Sequence, residues 1–263
     1  MPRDLPLGNG DFLVTFDSRY QLRDIYYPRV GQENHTVGAA CRFGLWVGGK
    51  FSWVGGDDWE VHIEYEHETL VGDTTLHNAA LGIRLRCRDA VDFDRNIYFK
   101  EVTVEDEVGV REREIRVFQH FDAHLFGNEV GDSAFYDPRS QAIVHYKGRR
   151  AFLISGTAGG NSFGLTSFAI GQKDAPGKEG TWRDAGTAFC RVTQWRRARS
   201  TASRCSPSAC LGAAAPRSYS GSRRASRTTK CASSTSSCAS AHPRRSARAR
   251  KITGGSGRTR TSR

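Results

Sequence analysis

Three adjacent side chains, Glu33, Asn34 and His35, bring a carboxylate, an amide and an imidazole together in one polar loop. Such groups can move protons or bind a polar ligand. The loop follows a short apolar and aromatic stretch that leads into Tyr27. Because loops at strand ends usually carry the binding residues of all-β scaffolds, we take Tyr27, Glu33, Asn34 and His35 as the candidate site residues.

Neighbouring residues on an extended chain point to opposite faces, so this triplet converges on one ligand only if the loop curls. A hydrogen-bond network that holds the loop together is therefore favoured over a catalytic site. His120 and His124, which flank Asp122, would share one face of a strand, but the sequence identifies no third ligand and no cysteine support. We expect no metal site and no catalytic residue. We also expect no cofactor, since no dinucleotide fingerprint is present.

Four aromatic residues are candidates for stacking on sugar rings, whose apolar faces pack well on aromatic side chains. They are Trp46, Trp53, Trp59 and Tyr65. Aromatic residues at strand spacing more often belong to the core, and the sequence leaves both alternatives open.

The pattern of the first 172 residues predicts an all-β fold. Short aromatic and β-branched segments alternate with turn residues, which is typical of antiparallel strands about ten residues apart. A large antiparallel β-sandwich is favoured over a barrel, because two packed sheets bury the aromatic residues more completely. The predicted strands are 11–16, 42–47, 50–54, 60–66, 81–87, 97–104, 114–121, 142–146, 151–155 and 163–170.

Charge divides the chain into two parts. The 263 residues include 39 Lys and Arg and 28 Asp and Glu, and residues 187–263 contain 18 of the basic residues and none of the acidic ones. Residues 1–186 therefore hold 21 basic and 28 acidic residues, an ordinary composition for a globular domain. Residues 187–263 are rich in Arg, Ser and Ala and show no apolar periodicity, so they are predicted to be a disordered basic tail.

The amino terminus shows no secretory signal, and the chain contains no run of about 18 apolar residues that would predict a membrane span. We therefore expect a cytoplasmic protein. In that reducing compartment Cys41 and Cys87 are predicted to be buried thiols rather than a disulfide.

Several motifs carry a resemblance to a known family. They are Leu7–Gly10 (LGNG), Leu22–Pro28 (LRDIYYP), Arg42–Val47 (RFGLWV), Gly31–Thr36 (GQENHT), Tyr146–Arg150 (YKGRR) and Lys178–Asp184 (KEGTWRD). Over residues 1–186 the chain resembles the N-terminal β-domain of bacterial glucoamylase-like enzymes, glycoside hydrolase family 15. The last three motifs resemble one cytoplasmic branch of that family.

The resemblance implies a large β-sandwich that packs against an (α/α)₆ helical barrel. In the family the barrel carries two glutamates, one acid and one base, which hydrolyse α-glucosidic bonds with inversion. No position of this chain corresponds to those glutamates. The resemblance therefore implies a non-catalytic domain of a truncated enzyme. Its partners would be the missing barrel and, in the full-length parent, an α-glucan or another glucoside. Tyr27, Glu33, Asn34 and His35 would lie at a domain interface or beside the substrate cleft.

Residues 187–263 are interpreted as an out-of-frame translation that begins near Ala185 and Gly186. A GC-rich gene read one base out of phase tends to give Arg, Ala, Ser, Pro and Gly. When GC-rich codons for Lys230–Ser240 are regrouped one base earlier, they translate to EVRELDEFVRE, an acidic amphipathic helix. The chain would then be a frameshifted fragment with incomplete sheets and a tendency to aggregate.

Two other functions remain open. Residues 1–186 could be a free-standing carbohydrate-binding β-sandwich, which predicts binding to maltooligosaccharides. A nucleic-acid-binding protein that uses the Arg-rich tail is less favoured, and it predicts DNA binding with a steep salt dependence. We expect no membrane partner.

Overall fold

The computed structural model describes residues 4–39, 41–109, 113–128, 130–157, 165, 167–175, 178–179, 181, 195–197, 207–214, 227–229 and 235–237. Its regular structure consists of β-strands and one short 3-10 turn, Leu125–Gly127. The first ten strands are β1 Leu5–Gly8, β2 Leu13–Phe16, β3 Leu22–Tyr26, β4 Arg42–Val47, β5 Lys50–Trp53, β6 Glu60–Tyr65, β7 Gly72–Asn78, β8 Ile83–Val91, β9 Ile97–Asp106 and β10 Ile115–Asp122. The remaining strands are β11 Ser133–Asp137, β12 Ala142–Lys147, β13 Arg150–Ile154, β14 Ser167–Ala175, β15 Lys178–Glu179, β16 Trp195–Arg197, β17 Pro207–Ala214, β18 Arg227–Thr229 and β19 Thr235–Ser237.

These strands form three sheets in which the described pairs are antiparallel. A small sheet has the order β1-β2-β3, and a six-stranded sheet has the order β15-β14-β17-β10-β4-β5. The largest sheet has the order β16-β11-β12-β13-β19-β9-β8-β7-β6, and β18 also pairs with β9. The predicted all-β fold with antiparallel sheets is confirmed.

The core lies between these sheets. Leu45 and Val117 come from the six-stranded sheet, Leu85 and Val102 from the largest sheet, and Phe12 from the turn that joins β1 and β2, and all five belong to one buried apolar cluster. A main core to which facing sheets contribute buried side chains is the expected arrangement of a β-sandwich. Cys41 and Cys87 are buried free thiols, as the sequence predicts.

Sequence alternation explains most strands. In β8, for example, Ile83, Leu85 and Cys87 are buried while the arginines between them are exposed. The Gly48-Gly49 turn between β4 and β5 has φ values of 52° and 99°, the backbone region that favours glycine. The sequence gives no prediction for β7, because its inward side includes the polar residues Thr74 and Asn78.

Four short strands, β16 to β19, lie within residues 187–263. β17 pairs with both β10 and β14, and β19 pairs with both β9 and β13. These short segments pair with the sheets because open sheet edges satisfy the backbone hydrogen bonds of almost any extended segment. The other residues of the tail lie outside the described part of the chain. Among the described residues, no helix is long and apolar enough to cross a membrane.

Candidate functional site

The predicted site loop folds back on the end of β3. The Tyr27 amide donates to the Glu33 carbonyl (3.3 Å), and the His35 amide donates to the Ile25 carbonyl (2.8 Å). Tyr26 and Asn34 form an isolated β-bridge. The loop therefore curls into an irregular hairpin, which is the condition for its polar side chains to converge.

Asn34 points away from its two neighbours and fastens the base of the loop. Its Nδ2 donates to Asp24 Oδ1 at 2.8 Å, and its Oδ1 accepts from the amide of Thr36 at 3.1 Å. Asp24 also accepts a hydrogen bond from Thr15 Oγ1 at 2.6 Å. Because both ends of the Asn34 amide are engaged in this network, the role that its geometry supports is structural.

His35 is buried, with 1% of its surface exposed, and it connects two loops. The Phe126 amide donates to His35 Nδ1 at 3.1 Å, so the ring proton is assigned to Nε2. Nε2 then donates to the Tyr27 carbonyl at 2.8 Å. Burial lowers the pKa of His35, which favours this neutral imidazole. The His35 carbonyl also accepts from the His124 amide at 2.7 Å.

Glu33 lies at the surface and forms an ion pair with Arg150. Its Oε2 lies 3.1 Å from Arg150 Nε and 3.1 Å from the terminal nitrogen Nη2. The guanidinium carbon lies 5.1 Å from the ring centroid of Tyr27 and 5.4 Å from that of Phe126. The Arg150 guanidinium therefore lies over two aromatic rings while it binds the Glu33 carboxylate, and it joins three segments of the chain.

The structure thus brings Tyr27, Glu33 and His35 to one side of the loop and turns Asn34 to the other. Inverting glycoside hydrolysis needs two carboxyl groups on opposite sides of the scissile bond. On this side of the loop the described residues supply one, Glu33, and it is engaged by Arg150. Within the described ranges, no group of three or more His, Cys, Asp and Glu side chains has the geometry to hold a metal ion. The arrangement can position loops and present a polar surface.

A buried polar cluster lies beneath the loop that contains Leu125 and Phe126. The sequence gives no prediction of this cluster. Asp132 Oδ1 accepts from the Leu125 amide at 3.3 Å and lies 3.8 Å from Lys147 Nζ. Burial raises the pKa of Asp132 to about 7. Lys147 Nζ donates to the carbonyls of Leu125 (2.9 Å) and Asn128 (3.0 Å), and burial lowers its pKa.

His145 completes this cluster from β12. It is 1% exposed, and burial lowers its pKa to about 4. The nearby Asp122 carboxylate opposes that shift, and Asp122 also lies 3.3 Å from His124 Nε2. Phe126, Arg150, Asp132 and the histidines of this region come from chain segments far from the Glu33 loop. The sequence singles out His124 only as a metal-ligand candidate beside Asp122, and the resemblance at Tyr146–Arg150 includes Arg150; no sequence pattern points to Phe126 or Asp132.

Comparisons with known proteins point in one direction. No protein-family model matches the chain. A curated protein of Methanocaldococcus jannaschii, named an uncharacterized glycosyl hydrolase, is 23% identical over 167 residues, which are 64% of this chain and 25% of that protein. The crystal structure of a bacterial glucoamylase complexed with acarbose matches with a TM-score of 0.58 at 10% identity, and the match covers 81% of this chain and 32% of that chain.

The structural match shows that the two proteins share a fold. The expected resemblance to a bacterial glucoamylase-like protein is therefore confirmed at the level of the β-domain architecture. The chain spans about a quarter of the curated relative and about a third of the glucoamylase.

Proposed function

We propose that residues 1–186 are the N-terminal β-sandwich domain of a glycoside hydrolase family 15 enzyme that hydrolyses α-glucosidic bonds in carbohydrate metabolism. The observation that carries the proposal is the fold match to the acarbose-bound glucoamylase, which covers 81% of this chain but only 32% of that one. The sequence relative, named a glycosyl hydrolase, supports the same class. The two buried free thiols, Cys41 and Cys87, are consistent with a reducing, cytoplasmic setting.

In this proposal the domain is non-catalytic and supports a helical barrel that the chain lacks. The geometry around Glu33 supports the role of a domain interface. Arg150 binds its carboxylate while the guanidinium lies over Tyr27 and Phe126, and the buried His35 is hydrogen-bonded to the loop that contains Phe126. Asn34 fixes the base of the same loop. Such a rigid, partly polar surface suits a neighbouring domain of the same chain.

We also propose that residues 187–263 are an out-of-frame translation of the parent gene. The abrupt change in charge supports this origin, as does the acidic helix that GC-rich codons chosen for Lys230–Ser240 yield when they are regrouped. Resequencing the DNA around codon 186 tests it. We expect one inserted or missing base there. An intact and unambiguous reading frame through codon 186 would refute the frameshift.

The repaired gene tests the enzyme class. We expect its longer product to hydrolyse maltooligosaccharides and to release glucose with inverted anomeric configuration, which NMR spectroscopy detects directly. The 263-residue chain serves as the matched control and is expected to show no hydrolysis. A repaired product that lacks activity on all α-glucosides would contradict the proposal.

A free-standing carbohydrate-binding β-sandwich is the second candidate. It is favoured by one observation, an apolar cluster separate from the main core that contains Trp46, Phe51, Trp53 and Phe118. This candidate predicts binding to maltooligosaccharides without hydrolysis. An intact reading frame around codon 186 would favour this candidate over the first one.

A further inference from the structure

A group of aromatic side chains lies on the face of the six-stranded sheet that points away from the main core. Phe118 of β10 is fully buried there, and Trp46, Phe51 and Trp53 pack against it while remaining partly exposed. Residues of the same strands with the opposite orientation, such as Leu45 and Val117, belong to the main core. Since side chains alternate across a sheet, the aromatic group occupies the second face.

The register explains how these rings come together. Trp46 of β4 is directly opposite Phe51 of β5, and Gly44 is directly opposite Trp53. On the other side of β4, Gly44 is opposite Phe118. Gly44 is therefore the centre of a small grid of aromatic residues, and its missing side chain leaves the space that they fill.

The rings of Phe51 and Trp53 pack directly over the backbone of Gly44. A Cβ atom at Gly44 would come within 2.7 Å of Trp53 Cε3 and 2.8 Å of Phe51 Cζ. The ring centroids of Phe51 and Trp53 are 4.8 Å apart with an edge-to-face angle of 81°, and Phe51 packs at 5.8 Å on Phe118. Rings that rest on a strand backbone direct part of their surface outward, which agrees with the partial exposure of both residues.

A polar rim borders the rings. The guanidinium carbon of Arg116 lies 5.3 Å from the ring centroid of Trp46. Arg116 Nε and Nη2 both donate to Glu114 Oε1, at 2.8 and 2.7 Å. Aromatic surface next to fixed charged donors and acceptors suits a ligand with both apolar faces and hydroxyl groups.

We propose that Trp46, Phe51 and Trp53 form a stacking platform that binds an α-linked glucan. The CH-bearing faces of its glucose units rest on the rings, and its hydroxyl groups reach the Arg116–Glu114 pair. The platform would hold a polymeric substrate near the parent enzyme without taking part in hydrolysis. The choice of an α-glucan rests on the proposed function, whereas the stacking surface rests on the geometry of β4, β5 and β10.

The test is ligand-observed NMR and calorimetry of the full 263-residue chain with maltoheptaose. We expect binding by the wild type, and at least a tenfold loss of affinity in Trp53→Ala and in Trp46→Ala. Phe93→Ala is the matched control, because Phe93 is an aromatic residue that is 88% exposed outside the platform. Its affinity should stay within twofold of the wild type.

A measurement on the unmodified chain covers the case in which the alanine variants fail to fold. Saturating maltoheptaose should slow amide hydrogen exchange in β4 and β5 at least threefold and leave β7 unchanged. The proposal is overturned if the wild type does not bind maltoheptaose, if folded Trp53→Ala binds it as tightly as the wild type, or if only the β-linked cellohexaose binds. Hydrolysis by the frame-repaired enzyme tests the proposed function separately. An active enzyme without platform binding would refute this inference alone.

Discussion

Lys100 Nζ lies 3.1 Å from Asp89 Oδ1, and both side chains are buried. The two residues are directly opposite each other on β9 and β8. Tyr20 and Tyr98 donate their phenolic hydrogens to the same carboxylate. Burial raises the pKa of both tyrosines, so they remain protonated donors. The Lys100 ammonium also lies 3.9 Å from the ring centroid of Tyr20, so the ion pair connects the largest sheet to the turn between β2 and β3.

Removing this ammonium should destabilise the domain strongly. Lys100→Met leaves the Asp89 charge buried without its counterion, and we expect a loss of about 3–5 kcal/mol in the free energy of unfolding. Arg88→Met is the matched control, since Arg88 pairs with Glu66 at 2.6 Å but both side chains are more than 40% exposed. It should cost at most about 1 kcal/mol. Urea denaturation measures both, and equal losses would contradict the assigned role of the buried pair.

Asp132 and His145 should make opposite contributions to the pH dependence of stability. The pKa of Asp132 is raised to about 7 in the folded protein, so its favourable contribution is complete near pH 4 and is lost as the pH rises to 7. The pKa of His145 is lowered to about 4, so its contribution is complete above about pH 6.5 and is lost as the pH falls toward 4. Between these limits folding adds a proton to Asp132 and removes one from His145.

Single variants should expose each contribution. Relative to the wild type, Asp132→Asn should add a positive slope of stability against pH between about 4 and 6.5, and His145→Gln should add a negative slope. Each slope approaches about 1.4 kcal/mol per pH unit, and the double variant should return to the slope of the wild type. Urea denaturation at half-unit pH intervals measures these slopes. Parallel curves for all four proteins would show that neither group titrates in this range.

The hairpin that carries Glu33 should depend on Asn34 more than on the surface ion pair. Asn34→Ala removes the hydrogen bonds that Asn34 makes to Asp24 Oδ1 and to the Thr36 amide, and we expect a cost of about 1–3 kcal/mol. Arg150→Met removes a partly exposed ion pair and should cost about 1 kcal/mol or less. Thermal unfolding with hydrogen exchange of the loop compares them. A larger loss of stability in Arg150→Met than in Asn34→Ala would show that the ion pair, and not Asn34, holds the hairpin.

Gly44→Ala should disturb the aromatic cluster. The added methyl group would meet Phe51, Trp53 and the Ser52 carbonyl at 2.7–2.8 Å, so the rings must move. Overpacking of this kind costs about 1–3 kcal/mol. We expect a weaker near-ultraviolet circular dichroism signal with an unchanged far-ultraviolet spectrum. An unchanged near-ultraviolet signal would mean that the rings do not rest on this glycine.

The sequence predicts aromatic strands such as β4 and alternating strands such as β8, and it misses β7, whose buried side is partly polar. The range predicted for β4 agrees with the structure, and β8 extends beyond its predicted end. In β7, Asn78 faces inward, where its Nδ2 donates to Asp58 Oδ2 at 2.7 Å and its Oδ1 accepts from the Leu81 amide at 2.9 Å. Hydrogen bonds replace apolar contacts there, so a hydrophobic pattern cannot reveal the strand.

The candidate site is also predicted only in part by local sequence patterns. The alternation of Glu33, Asn34 and His35 predicts that Asn34 points away from its neighbours, and the structure agrees. The partner Arg150 is 117 residues from Glu33 in sequence, and Phe126 is 91 residues from His35. Contacts at such separations depend on how the sheets are assembled, which local sequence patterns do not encode.

The position of β17 between β10 and β14 has a consequence for synthesis on the ribosome. β10 ends at Asp122, but its neighbour β17 begins only at Pro207, about 85 residues later. At a translation rate of about 5–20 residues per second, one edge of β10 waits roughly 4–17 seconds for that strand. During this interval the nascent chain offers an open row of amides and carbonyls to other chains, so its yield should depend on expression rate and on chaperones.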